Sequence, residues 1–408
     1  MLAVPLGPRA PRAVPPLVHG RAAQRSSGEG PLRAGAARVR IALPAHAPIA
    51  GYPGRARDDG TGAPLYARAL VLEAGGARQI LATVDALLVP GALEQDVLRR
   101  AALPPTACLL FAATHTHSGV GGTWRNALAE WGGNGPYDPA VEAAVSAAVA
   151  EAISTAAARL EPAQLAWRQA AWPSGPAEVR SGGALDTALT SLRLASSTGA
   201  TIAFVVGYAM HATLEPRGAH HLAADWPGAL STRLEAGTVA GVALVVQGAS
   251  GNATWSRSLG TDPAAAREAA ASRIEAVARE LLRTAQPVRE ARLTCETALA
   301  ALPPAQAGRG VPRLLRRGAS NLLALFAEPF AVRTTLAIDG LRLVGVPGEP
   351  VGALAVALRQ RTPNTAVVGL ADGYVGYVEE PLGTGEAART YHGPGLAEAL
   401  GLWPAAPP

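Results

Sequence analysis

Apolar positions along the 408-residue chain follow two periods, and the switches between them mark the elements. Alternation at every second residue predicts a short strand at Val39-Arg40-Ile41, and apolar runs of strand length predict two more at Tyr66 to Glu73 and Gln79 to Val84, joined by Gly75-Gly76 as in a hairpin. Further apolar runs of strand length lie at Cys108–Ala113, Gln164–Ala170, Leu189–Leu194, Ile202–Tyr208, Val242–Val246 and Thr365–Leu370. Helical spacing runs over 92–102, from Asp138-Pro139 to Leu160, and over 226–236, 263–284 and 351–360. The 138–160 helix has Asp at the N-cap and Pro at its first position. Asp339-Gly340 is a strong turn dipeptide between two further strands. Strands alternating with helices predict an α/β, mixed α+β domain: one catalytic domain over 34–408, with mixed sheets, flanking helices and no internal repeat. Residues 303–327, with Pro, Gly and clustered arginines, read as a surface insertion.

Residues 1–33 are proline- and arginine-rich and read as a disordered leader. That segment holds much of the positive excess behind a formal net charge of +5, and no aromatics are interleaved there for base stacking, so nucleic acid is not expected as a partner. All 36 basic residues are arginine, which excludes a lysine Schiff base and a lysine-bearing phosphate loop. Two cysteines, Cys108 and Cys295, provide neither a disulfide framework nor a four-cysteine metal site, and Cys108 reads as a buried strand residue. The chain shows no clear signal peptide and no stretch of about 18 uncharged apolar residues, so the expectation is cytoplasmic by default, with a secreted or periplasmic protein as the alternative.

Six of the eight histidines fall in motif-like segments: His115, His117, His211, His220, His221 and His392. In a strand, His115 and His117 share one face, and both His115 and His211 follow apolar strands. Neutral imidazole offers a lone pair to zinc, so two strand-end clusters suggest a metal site, the alternative being a pair of hydrogen-bonded strand histidines. Glu349, between an apolar strand and a helix start, is the candidate carboxylate, although a first-turn glutamate favoured by the helix dipole reads equally well. The Gly248-Ala249-Ser250-Gly251-Asn252 loop resembles a nucleophile elbow but lacks its final glycine.

The ordered motifs resemble the neutral/alkaline (non-lysosomal) ceramidases. The resemblance starts at Arg38–Pro44 and Gly51-Tyr52-Pro53-Gly54-Arg55, continues through Asp85, and is strongest at Thr114-His115-Thr116-His117-Ser118-Gly119-Val120-Gly121-Gly122. It implies a single zinc held by His115, His211, Glu349 and Tyr377, the last within Gly373-Tyr374-Val375-Gly376-Tyr377-Val378. It also implies catalytic roles for His117, Arg180, Thr254 and Tyr391, with zinc activating a water and the side chains steadying an oxyanion. Thr254 stands where the family has a serine nucleophile, Asn252 where it has aspartate and Trp255 where it has proline. The implied function is zinc-dependent hydrolysis of an N-acyl amide, in ceramide or a related small amphiphilic lipid, with transient contact to a membrane surface. Two alternatives stay open: a non-catalytic metal- or lipid-binding relative, and a metal-free hydrolase using Ser250. Oligomeric state is not legible.

Overall fold

The computed structural model describes residues 13–104, 106–236, 241–307, 311–379 and 392–404. After β1 (Gln24–Pro31), the chain builds one arrangement three times. In the first unit β2 (Arg33–Arg40), β3 (Tyr66–Ala74) and β4 (Ala77–Val84) are antiparallel neighbours, and α1 (Gly91–Ala101) crosses over to β5 (Ala107–Ala113), parallel to β4. The short α2 (Ala127–Ala129) and α3 (Pro139–Ala158) follow. The second unit has β6 (Glu161–Ala171), then the two-stranded-ribbon member β7 (Ala177–Val179), β8 (Ala188–Ser196) and β9 (Thr201–Tyr208). Here β6, β8 and β9 are antiparallel, and α4 (Asp225–Ala236) crosses over to β10 (Val242–Gln247), parallel to β9. β11 (Ala253–Trp255) pairs with β7, and α5 (Pro263–Arg283) leads on.

The third unit comprises β12 (Glu290–Ala301), β13 (Phe330–Ile338) and β14 (Leu341–Gly345), again antiparallel, with α6 (Arg316–Leu323) in the β12–β13 connection. β15 (Glu349–Pro350) and α7 (Gly352–Arg361) then lead to β16 (Thr365–Val368), parallel to β14. β17 (Tyr377–Val378) pairs with β15, and α8 (Leu396–Ala399) lies near the end. The first two units join through β2 and β6 into an eight-stranded sheet, while the third, with β1 on the free edge of β12, forms a five-stranded one.

The inner strands of the units, β4, β5, β8, β9, β10 and β16, are buried on both faces, which is why those runs read as near-continuous apolar stretches, whereas β6 and β12 alternate buried with exposed positions. Alternate residues divide between two layers. Cys108 and Leu110 of β5, Leu244 and Val246 of β10, and Leu343 and Val368 of β14 and β16 face a core common to all three units. Leu109 and Phe111 face outward onto α1 and α3, Ala243 and Val245 onto α4 and α5, and Val344 and Val367 onto α7 and α8. The mixed α+β architecture expected from the sequence is therefore the one found, but the absence of a repeat is corrected. The three units have diverged in sequence while keeping one topology, each with a tight turn between its second and third strands at Gly75-Gly76, Thr198-Gly199 and Asp339-Gly340.

Three other expectations change. Within 1–33, residues 13–33 are not a disordered leader, and residues 1–12 lie outside the described residues. Every residue of β1 lies opposite one of β12, from Gln24 opposite Thr297 to Pro31 opposite Glu290, so the ladder with β12 orders the strand although its side chains are polar. Cys108 and Cys295 form a disulfide between the two sheets, 187 residues apart in sequence. Finally, α3 is long and apolar enough to cross a membrane, yet its Val141, Val145, Val149 and Ile153 belong to the core under the first unit.

Candidate metal centre

The three units meet at the carboxyl ends of their parallel strand pairs, and a ring of hydrogen bonds closes them there. Gln247 Nε2 at the end of β10 donates to Thr114 O (3.0 Å), Ala113 N at the end of β5 donates to Leu370 O (3.1 Å), and Gly369 N beyond β16 donates to Gln247 O (2.9 Å). Carboxyl ends of parallel strands leave loops free to carry chemistry on a rigid frame. Each unit supplies at least one polar side chain to the centre from beyond one parallel strand, held by a group from beyond the other. His115, beyond β5, sets Nδ1 2.8 Å from Leu87 O, beyond β4. His211, beyond β9, sets Nδ1 2.8 Å from Ser250 O and 3.0 Å from Ala253 O, both beyond β10. Glu349, beyond β14, accepts at Oε1 from the Tyr374 hydroxyl (2.7 Å), beyond β16.

A carbonyl can only accept, so each Nδ1 carries the proton and each Nε2 presents its lone pair. His117 follows the same rule, with Nδ1 3.0 Å from Gly51 O. Gly51 must be glycine: its φ is +116° and a Cβ would stand 2.1 Å from His117 O. One ligand atom from each of His115, His117 and His211 fits within 4.8 Å of the others, and Glu349 Oε2 lies 3.4 Å from His115 Nε2 and 3.2 Å from His211 Nε2. Donors held by a tetrahedral metal with bonds of ~2.0–2.1 Å stand roughly 3.3 Å apart, so these separations suit a single ion. Buried without hydrogen-bond partners among the described residues are His115 Nε2, His117 Nε2 and Glu349 Oε2. Orphaned buried acceptors aimed at one point are what a metal site requires.

The electrostatics agree. Burial, with His115 and His211 nearby, lowers the His117 imidazole pKa well below its ordinary value, and burial lowers that of His211, so both are neutral. Burial pushes the Glu349 carboxyl up, but His115 and His211 outweigh it and hold the group well below the usual carboxylate range. His115 lies at φ +62°, so the motif leaves strand geometry at its first histidine. The shared-face expectation for His115 and His117 is thereby corrected: a loop turn, rather than strand alternation, aims both rings inward, with centroids 4.8 Å apart.

The remaining expected residues divide. Tyr377 is buried beside Glu349, which together with burial pushes its phenol up, and Arg180 Nη2 donates to its hydroxyl (3.3 Å) and to Gly251 O (2.7 Å). Thr254 sits on β11, one residue beyond the Ala253 carbonyl that holds His211, and its hydroxyl makes no hydrogen bond among the described residues. Asn252 is structural: its side chain donates to Gly182 O and Ala184 O and accepts from Gly352 N. Ser250 Oγ is buried without a partner, and His211 meets Ser250 at its carbonyl, not at its hydroxyl. Tyr391 lies outside the described residues. His221 is taken up elsewhere by Glu215 (3.0 Å).

Two residues went unassigned in the sequence. Tyr374 was obscured by its twin Tyr377, and Tyr52, whose ring packs 5.1 Å from that of His117 under the Arg217 guanidinium, carried no motif of its own. Tyr374 also joins the centre to a largely apolar groove, lined by Trp124, Leu128, Leu323, Phe326, Tyr374 and His392 with Glu328 among them. The Trp124 and Tyr374 rings meet edge-on at 6.1 Å, and Asn126 Nδ2 donates to Phe326 O (2.9 Å), tying the two walls together.

Residues 42–249, just over half of the chain, match the N-terminal region of the neutral/alkaline non-lysosomal ceramidases. The chain belongs to that family. A comparison with curated protein sequences finds no match. In fold, this ceramidase-family chain is similar to the neutral ceramidase from Pseudomonas aeruginosa, with a TM-score of 0.78 at 19% identity over 91% of this chain and 72% of that one. It is also similar to a ceramidase complexed with C2, with a TM-score of 0.74 at 18% identity over 91% of this chain and 73% of the other. The centre lies on both sides of the matched region's end: the histidines fall within 42–249, while Glu349, Tyr374 and Tyr377 come from the third unit beyond it.

Proposed function

We propose that this ceramidase-family protein is a zinc-dependent amidohydrolase acting on the N-acyl bond of an amphiphilic lipid of the ceramide type. The observation that carries the reading is the convergence of His115 Nε2, His117 Nε2 and Glu349 Oε2, buried and unpartnered, with His211 Nε2 3.2 Å from the same carboxylate oxygen. His115, His211 and Glu349 would hold the metal, with Tyr377 completing the set. A zinc ion there would polarise the amide carbonyl and lower the pKa of a water towards about 7.

The chain's own residues supply the rest. Arg180, which donates to the Tyr377 hydroxyl, would steady negative charge on the carbonyl oxygen. His117, neutral and unpartnered at Nε2, is placed to take up and return the proton that passes to the leaving amine. The groove beyond Tyr374 suits an aliphatic chain, because Trp124, Leu128, Leu323, Phe326 and Val375 make most of its wall, with Glu328 and His392 as polar points along it. The Ser250 alternative lacks a base at its hydroxyl, which weighs against it. The Cys108–Cys295 disulfide supports the secreted or periplasmic placement over the cytosolic one.

The test combines metal analysis with turnover. The purified protein should hold close to one zinc per chain and cleave long-chain N-acyl amides, with chelation abolishing and added zinc restoring turnover. Zinc-loaded protein inert towards a panel of N-acyl lipids would support the non-catalytic relative instead.

A further inference from the structure

The insertion between β12 and β13 has two unlike sides. Leu323, Phe326 and Ala327 line the apolar groove. Around them, Leu314 is 96% exposed, Leu325 72%, Leu315 63% and Leu322 58%. Backbone bonds from Leu315 N and Arg316 N to Pro312 O, from Ala319 N to Leu315 O, and on to Ala327 N with Leu323 O keep the segment helical from 312 to 327. In that geometry Leu315, Leu322 and Leu325 recur at i, i+7 and i+10, which makes one stripe. Four exposed leucines on one short segment are not the scattered apolar residues of an ordinary surface. The opposite wall behaves alike: five residues beyond Asn126, which bonds Phe326 O, Trp131 is 77% exposed.

Charge selects the occupant. From Thr297 to Ala327 the sequence has no Asp or Glu, but it has Arg309, Arg313, Arg316 and Arg317, of which Arg316 also donates to Val311 O; the nearest carboxyl, Glu328, is turned into the groove, where burial raises its pKa. Leucines beside arginines, on a helix whose other side opens into an apolar groove, fit the boundary between acyl chains and anionic headgroups. We propose that residues 312–327, with Trp131, dock on an anionic lipid bilayer and seat the mouth of the groove on the membrane from which substrate enters. This deepens the amidohydrolase reading, on which it rests for the substrate but not for the docking itself.

The experiment is co-sedimentation of the full chain with substrate-free vesicles of phosphatidylglycerol and phosphatidylcholine, and with phosphatidylcholine alone. The parent should partition at least tenfold better onto the anionic vesicles, and added salt should weaken it. A Leu314→Glu/Leu322→Glu/Leu325→Glu variant should lose tenfold or more of that binding while cleaving a water-soluble short-chain amide as the parent does. An Arg313→Glu variant, which removes no apolar contact, should lose binding to anionic vesicles alone. The proposal is overturned if the parent ignores vesicles, if the triple variant binds them like the parent, or if its short-chain turnover falls with its binding. It is equally overturned if the parent is a dimer in solution that the triple variant splits, because the stripe would then meet a second copy. Vesicle binding by a protein that cleaves no amide would refute the enzymatic reading and leave the docking intact.

Discussion

Replacing Arg21 by methionine tests whether the N-terminal segment is part of the folded core. Val18 and Arg21 bond each other across His19 and Gly20, both at positive φ, and this tight turn delivers the guanidinium into the interior. There it meets Glu94 Oε1 at 2.6 Å and Asp372 Oδ1 at 3.3 Å, and it donates to Thr297 and Thr334. Arg21 thereby ties β1's approach to α1 and to the segment carrying Tyr374. Breaking a buried ion pair from one side typically costs about 3–5 kcal/mol. With an unfolding entropy of ~2 cal/mol/K per residue over this chain, the melting temperature should fall by roughly 4–6 °C. The loss has a predictable pH dependence. Burial pushes Glu94 up to about 7, and Asp372 is raised as well, also by burial. A carboxyl raised on folding favours the native state most below its unfolded pKa, and that contribution is lost as pH rises through its folded one. Without Arg21 both carboxyls rise further, so the deficit should be small at pH 5 and full at pH 8. Adding Glu94→Leu should restore most of the stability, since Asp372 keeps its bonds from Phe111 N and Thr334 N. Urea melts at the two pH values decide it: an Arg21→Met protein within about 0.5 kcal/mol of the parent at pH 8, the scatter of ordinary surface substitutions, would refute the reasoning.

Other outcomes follow from the centre and the disulfide. Tyr374→Phe removes the hydroxyl that orients Glu349 and should weaken zinc affinity 10–100-fold, read by competition with a chromophoric chelator, with little change in fold. Because the Thr254 hydroxyl has no hydrogen-bonded base, Thr254→Ala should keep turnover within tenfold of the parent, whereas His115→Ala and His211→Ala should abolish it; a dead, zinc-loaded Thr254→Ala enzyme would make the hydroxyl essential. Reducing Cys108–Cys295 should lower stability by several kcal/mol, since closing a loop of 187 residues is worth about 5 kcal/mol in the chain-entropy treatment, and a melt unchanged by reductant would contradict that. A chain starting at Leu32 loses β1 and Arg21 together and should fail to fold, seen as aggregation on expression.

The strands and their turns were legible because burial on both faces leaves long apolar runs, and because Gly75-Gly76 and Asp339-Gly340 can hardly be anything but turns. His115, His211 and Glu349 were legible as strand-end residues. What escaped was nonlocal. β1 is polar on both faces and is specified by the edge of β12, more than 250 residues away, so its composition resembles a leader. The Cys108–Cys295 pairing depends on two sheets that no local pattern relates. Tyr374 and Tyr377 sit in one motif, and only the fold shows that the Tyr374 hydroxyl donates to Glu349 Oε1 while Arg180 donates to that of Tyr377. The inward turn of His115 needs a positive φ that a histidine in an apparent strand does not announce.

The threefold recurrence of one strand–helix unit around a shared core bears on how such a centre could arise. One unit alone presents one or two polar side chains and the groups that steady them, too few to retain an ion. Three separate copies assembling as a closed ring would bring three identical side chains together, so a symmetric centre requires only one unit's worth of coding. Fusing the copies into one polypeptide releases the three positions from having to match. A histidine can then follow the last strand of the first unit, while a histidine and a glutamate follow the strand before the crossover in the other two, an arrangement that no ring of identical copies could hold.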